Sequence, residues 1–295
     1  MNRLGVAVPT WNAGRTLEWT LLSLRQQVGC TVEAVVADSG STDATLSVCA
    51  AAGVRTVFEP PGNMYRAVNA GLRALDCAWL TYLNADDMAY ADAYAALIET
   101  GERTGADLVY GDCDYVDGHG RFLFSMRAAP RRLLRGMYRV GMMPFQQPCA
   151  VFRRELFDNL GGFNPQYRHI GDLDFFSRAD QAGARFEQVL GLTVVAFRLH
   201  PGQFSAREHP STREEVARYL TRLKSPVRLN DRLASWWWRL ANAREYVVRR
   251  LRAGTWSDRP PQVGALGGVG AGAAREPDRF SGPAESAQDA GEPHH

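Results

Sequence analysis

The chain predicts an α/β fold, a mostly parallel sheet with helices on both faces followed by a C-terminal helical extension. Three observations carry this. Short apolar runs alternate with segments of helical period through the first hundred residues. Polar clusters follow several of the apolar runs, where open parallel sheets place their ligands. Beyond residue 210 the alternation stops and a basic, tryptophan-containing helical pattern replaces it.

The elements follow in order. Leu4 to Pro9 reads as a buried strand, and Arg15 to Gln27 as a helix with Leu17, Leu21 and Leu24 at helical spacing. Val32 to Ala37 is a second strand. Thr42 and Asp43 offer caps for a helix running to Ala52. Val54 to Phe58, Met64 to Leu75, Ala78 to Leu83 and Ala91 to Arg103 continue as strand, helix, strand, helix. The pattern then changes. Leu108 to Val116, a turn at Asp117-Gly118-His119-Gly120, and Arg121 to Phe124 predict a hairpin. A short basic helix spans Pro130 to Tyr138, a strand Cys149 to Phe152, and a helix Arg153 to Leu160 that ends on Gly161-Gly162. Asp172 to Ala182 is helical. Phe186 to Val189 and Thr193 to Arg198 are the last strands.

Residues 1–210 are thus expected to form the main domain, 211–253 a basic amphipathic extension, and 254–295 a Gly-, Ala- and Pro-rich disordered tail. Between Thr221 and Pro260 there are ten Lys/Arg against three Asp/Glu. Leu233, Trp236, Trp237, Leu240, Val247 and Leu251 share one helical face, flanked by Arg232, Arg239 and Arg250. Two outcomes fit the 231–252 helix: contact with anionic lipid, or packing on the main domain or on a second subunit of a homo-oligomer. Packing is the expectation, because aromatic stripes are usually core.

Composition excludes several classes. Hydrophobic residues are 45% and charged residues 22%, ordinary for a globular protein, and the net charge of +2 gives no sign of nucleic-acid binding. Arginine supplies nearly all the positive charge, with Lys224 the single lysine. Five cysteines without CxxC spacing argue against a zinc site or a disulfide framework and fit a cytoplasmic protein. No apolar run approaches the ~20 residues that span a bilayer. The expected location is cytoplasmic, with peripheral contact at the inner membrane face as the other outcome open to the basic helix.

The polar clusters carry the chemistry. They are Pro9-Thr10-Trp11-Asn12, Asp38 to Asp43, and Asn84-Ala85-Asp86-Asp87. Neither G-x-G-x-x-G nor a P-loop lysine is present, which disfavours a dinucleotide or Walker-type phosphate cradle. Adjacent carboxylates after a strand suit Mg²⁺ or Mn²⁺, which takes one or two protein carboxylates and fills its shell with phosphate oxygens and water. Asp86-Asp87 could also simply cap the next helix.

Seven motifs in register then resemble the family-two glycosyltransferases, whose nucleotide-sugar domain has the Rossmann-like GT-A fold. They are V-P-T-W-N-A-G-R at 8–15, D-S-G-S-T-D-A-T at 38–45, G-N-M-Y-R-A-V-N-A-G-L at 62–72, L-N-A-D-D at 83–87, F-R-R-E-L-F-D-N-L-G-G-F at 152–163, G-D-L-D-F-F-S-R at 171–178 and R-L-H-P-G-Q-F-S at 198–205. Within that family the sequence looks most like bacterial enzymes that build surface polysaccharides. The resemblance implies inverting transfer of a sugar from a nucleotide diphosphate sugar to a hydroxyl of a glycan or lipid-linked acceptor, with a divalent metal, Mn²⁺ or Mg²⁺. It implies that Asp38 accepts a hydrogen bond from the base, that Pro9 and Thr10 line the base pocket with Asn12 beside them, and that Asp86 contacts the ribose or the metal shell. Asp87 is then the metal ligand, His200 a second ligand or a structural histidine, and Asp172 the general base, with Asp174 its competitor. Arg66 and Asn69 are expected at the same edge, Arg66 standing where the family often has Asp. The acid that commonly precedes the base is Gly171 here. Arg178 reads as a salt-bridge partner rather than a phosphate contact, and Gln146-Gln147 as a polar loop that could reach the acceptor. Two competing readings are a sugar-nucleotide nucleotidyltransferase, disfavoured by the lack of a glycine-rich basic loop after the first strand, and a catalytically idle binding subunit.

Overall fold

The computed structural model describes residues 2–200, 210–223 and 225–243. Its first half is the expected alternation. Strands β1 (Asn2–Thr10), β2 (Cys30–Asp38), β3 (Arg55–Phe58) and β4 (Trp79–Tyr82) lie parallel in the order β3-β2-β1-β4. Helices α1 (Leu17–Arg25), α2 (Thr45–Ala52) and α3 (Met64–Arg73) connect them. β1 reads as a continuous apolar run because both its faces are covered. Leu4, Val6 and Val8 enter the core under α1 and α4 (Ala93–Thr104), while Ala7 enters the core under α3. α3 sits so close to the sheet that a Cβ at Gly71 would stand 2.8 Å from that of Ala7.

The second half is mixed. β6 (Leu108–Val116) and β7 (Phe122–Met126) form the expected hairpin, and α5 (Arg131–Arg139) follows. A 3₁₀ turn at Gln147–Cys149 leads into β8 (Ala150–Arg153), which pairs antiparallel with both β4 and β6. Helices α6 (Arg154–Asn159) and α7 (Gly171–Gln181) come next. The two strands expected over 186–198 are one bent strand, β9 (Phe186–Arg198), parallel to β6. Gly191, at φ 72°, makes the bend, and the register against β6 shifts there. A two-residue strand absent from the sequence reading, β5 (Met88–Ala89), pairs antiparallel with β9. It fixes the chain just after Asp86-Asp87.

Two further helices lie on this body. α8 (Pro210–Leu223) buries Tyr219, whose hydroxyl donates to the Tyr138 carbonyl. α9 (Leu229–Ala241) packs on α5, with Ala234 and Asp231 against Gly136. Here the sequence reading is corrected. The face that packs carries Asp231, Ala234, Trp238 and Asn242, and the stripe expected to pack, Leu233, Trp236, Trp237 and Leu240, points outward. Polar anchors decide this. Trp238 Nε1 donates to the Arg127 carbonyl, and the Asn242 Oδ1 accepts from the Arg127 amide. Val247, Arg250, Leu251, the 254–295 tail and residues 201–205 of the last motif lie outside the described residues. Among those described, no helix is long and apolar enough to cross a membrane, and all five cysteines are buried free thiols.

Candidate functional site

The parallel strands end on one edge, where Thr10, Asp38 and Phe58 stand in register. The loop after β2 folds around its own acids. Asp38 Oδ2 accepts from the Gly40 and Ser41 amides at 2.9 Å, and Oδ1 accepts from the hydroxyls of Ser41 and Thr10 at 2.5 and 3.2 Å. Asp38 thus organises the loop that follows β2, at the strand edge where the sequence expects it to meet a nucleotide base. Asn12 does the same from β1's side. At φ 52° it accepts from the Thr42 amide through Oδ1, and its own amide donates to Ser41 Oγ. Pro9 is buried within β1. Phe58 and Trp11 are exposed at the mouth of this edge.

Around α3, Asn63 caps the helix, its Oδ1 accepting from the Tyr65 and Arg66 amides. Arg66 is exposed and pairs with Glu59 at 2.9 Å. Asn69 is buried, and its amide clasps Phe163 by accepting from its N–H and donating to its carbonyl, at 2.9 and 2.7 Å, which holds the 161–163 loop. Asn69→Ala would strip both partners from buried backbone groups, so a loss of about 3 kcal/mol is expected in urea unfolding, with nucleotide affinity of the folded protein unchanged.

After β4 the adjacent acids part. Asp87 is 0% exposed. Its Oδ1 accepts from the Arg198 amide at 2.9 Å, its Oδ2 from Asn84 Nδ2 at 3.2 Å, and its carbonyl from the Thr20 hydroxyl. Burial first, and the neighbouring Asp86 second, push its carboxyl well above the usual carboxylate range. The expected metal ligand is thus turned into the protein. Asp86 faces the opposite way, its Oδ2 3.0 Å from His200 Nε2, with the two side chains 18% and 27% exposed. Arg198, two residues before His200, is buried under Trp19 with its guanidinium 4.3 Å from the ring, and its Nη1 donates to the Gly118 carbonyl. It anchors the end of β9 that presents His200.

A carboxylate and an imidazole converging on an open edge fit a hard divalent cation that brings its remaining oxygens with a diphosphate. Among the described residues no group of three or more His, Cys, Asp or Glu would cage a cation alone. That donor set suits a metal bound together with its nucleotide.

Asp172 sits in the first turn of α7, half-buried. Its Oδ1 accepts from the Leu173 amide at 2.8 Å and from the Tyr65 hydroxyl at 3.3 Å. Beyond Leu173, Tyr65 and its own amide, no described residue donates to this carboxylate. Burial raises its carboxyl to about 6, against the lowering effect of those hydrogen bonds. Asp174, the competing base, is buried and held by Arg178 at 2.7 Å and Arg222 at 3.1 Å. Both its oxygens are engaged in ion pairs, whereas Asp172 has no ion pair among the described residues. Arg178 also donates to the Leu160 and Gly162 carbonyls, which makes it structural as expected. Gln147 is buried and donates to the Tyr82 carbonyl, bracing the end of β4.

Two residues escaped the sequence reading. Tyr65 is buried, stacks on Phe163 at 5.8 Å, and lies flat against Gly171, where an added Cβ would meet its ring at 2.6 Å. That contact excludes a side chain before Asp172, and so explains why the usual acid is missing. The signal was present in the departure at Gly171. Burial first, and the neighbouring Tyr65 second, push the hydroxyl of Tyr82 at the end of β4 well above its ordinary range. Glu215 on α8 is the other. Its carboxylate accepts from the Arg168 and His169 amides and fixes the loop that leads to Asp172.

With this geometry in place, comparison is informative. The family model for glycosyl transferase family 2 matches residues 5–161. A PGL/p-HBAD biosynthesis glycosyltransferase of Mycobacterium tuberculosis is 28% identical over 240 residues, 77% of this chain and 86% of that protein. TarS of S. aureus, solved with UDP-GlcNAc, is similar at a TM-score of 0.59 and 19% identity, over 77% of this chain and 68% of that one. The mannosyltransferase PcManGT of Pyrobaculum calidifontis, solved with GDP-Man and Mn²⁺, is similar at 0.55 and 18%, over 86% and 77%. The shared architecture is the GT-A fold.

Proposed function

The chain belongs to glycosyl transferase family 2, and on that premise we propose that it is an inverting enzyme that moves one sugar from a nucleotide diphosphate sugar to a hydroxyl of a glycan or lipid-linked acceptor, in the assembly of a cell-surface polysaccharide. One observation carries this reading. The edge is divided between an open carboxylate–imidazole pair, Asp86 and His200, and a half-buried carboxylate held in no ion pair among the described residues, Asp172.

Each part has one task. Asp86 and His200 would hold the metal, which when bound would supply neutralisation of the charge on the leaving diphosphate. Asp172 Oδ2 takes the acceptor proton as the acceptor oxygen bonds to the anomeric carbon. The bond from that carbon to the diphosphate oxygen breaks, and the nucleoside diphosphate leaves with the electron pair. A base that titrates near 6 is ionised at neutral pH yet still receives a proton readily. Phe58 offers a face on which a base can stack, with Arg66 close by on α3. The relative in PGL/p-HBAD biosynthesis and the nucleotide sugars held by TarS and PcManGT agree with a sugar donor of this class.

The test is a thermal-shift series of nucleoside diphosphates with and without Mn²⁺. Mn²⁺ and the cognate nucleotide together are expected to stabilise the protein by about 2.7 kcal/mol at a hundredfold excess over Kd, and neither alone to match it. Absence of a shift with every nucleotide in the presence of Mn²⁺ rejects the reading.

A further inference from the structure

We infer that the outward face of α9 docks the protein on an anionic phospholipid bilayer. The face is a stripe. Leu229, Leu233, Trp236, Trp237 and Leu240 recur at helical spacing, and the two tryptophans are 58% and 62% exposed. It is not a frayed end waiting for its own core. The opposite side of the same helix is already packed, through Ala234 against Gly136 and through Trp238 and Asn242 on Arg127. The apolar stripe is therefore left over after the helix has found its place, and contiguous exposed apolar side chains mark a contact surface.

Charge selects the occupant. Arg228, Arg232 and Arg239 are exposed along one flank of the stripe. The one acid of the helix, Asp231, is buried, where it accepts from the Arg228 amide and faces Arg139 at 3.6 Å. The exposed face thus carries tryptophan, leucine and arginine with no carboxylate. That is the composition of a helix lying in the lipid headgroup region, with tryptophans at the interface and arginines toward acidic phosphates. A second copy fits less well, because a two-fold contact through this stripe would bring like arginine flanks together.

α9 is fixed to the segment between β7 and β8 through Arg127, so docking would hold the whole described body at the surface. The docking itself needs no assumption about the reaction.

The test uses the full chain and sedimentation with vesicles of phosphatidylcholine, with or without phosphatidylglycerol. Binding is expected only when phosphatidylglycerol is present, with a blue shift of tryptophan emission. Trp236→Ala with Trp237→Ala should weaken it about tenfold or more by removing the inserted area. Arg232→Glu with Arg239→Glu should weaken it by at least about fivefold per charge. Both variants should keep wild-type melting and wild-type Mn²⁺-dependent nucleotide binding, since all four side chains lie outside the site. Equal binding to both vesicle types overturns the inference, as does undiminished binding by the tryptophan variant. A dimer that the tryptophan variant dissolves, in a protein that ignores vesicles, would assign the stripe to a second copy and overturn it too.

Discussion

Asp172→Asn should lower transfer by about 100- to 10,000-fold while leaving donor binding intact, the range expected when a positioned base is lost. The side chain keeps its shape, and the amide oxygen can still accept from Leu173 and Tyr65. What disappears is the ability of the other oxygen to take a proton. The pH profile is the companion readout. A base must be ionised, so kcat/KM should rise with pH through about 6 and be lost below it. Tyr65→Phe should move that limb upward, because the Tyr65 hydrogen bond stabilises the ionised carboxylate and so lowers its titration point. A merely structural Tyr65 would change melting without moving the limb.

The second large effect separates the adjacent acids. Asp86→Ala should reduce transfer about 100- to 1000-fold and weaken Mn²⁺-dependent nucleotide binding, with little change in melting. Its side chain is partly exposed and meets only His200 among described residues. Asp87→Asn should do the reverse. An amide presents one accepting oxygen where the carboxylate uses two, so the buried Arg198 amide or the half-buried Asn84 Nδ2 loses its acceptor, at a cost of about 1–3 kcal/mol in stability. Nucleotide binding by the folded fraction should survive. If Asp87→Asn abolishes metal-dependent binding while Asp86→Ala spares it, the metal edge has been assigned to the wrong acid.

The fold was legible in the first hundred residues for a physical reason. Strands buried on both faces must be apolar throughout, as Leu4 to Val8 are, and the helices between them must show one apolar stripe. The family motifs then located the edge. What pattern cannot give is direction. Asp86 and Asp87 look equivalent in sequence, and the choice between them is made by the amide of Arg198, 111 residues away. Asn69 reads as an edge residue until Phe163 closes on it from 94 residues away. The α9 stripe is correctly periodic, yet periodicity does not say whether a face turns in or out. Two polar anchors on Arg127 reversed the expectation. Tyr65 looked like ordinary helix core, and its hydrogen bond to Asp172 spans 107 residues.

The central claim is that binding of the leaving group and removal of the acceptor proton belong to opposite sides of one edge. Calorimetric titration of the cognate nucleoside diphosphate with Mn²⁺ into Asp86→Ala and Asp172→Asn, alongside wild type, tests it most directly. The account predicts wild-type affinity for Asp172→Asn, although that variant does not transfer, and a large loss for Asp86→Ala. Equal loss in both variants, or undiminished affinity in Asp86→Ala, would contradict it.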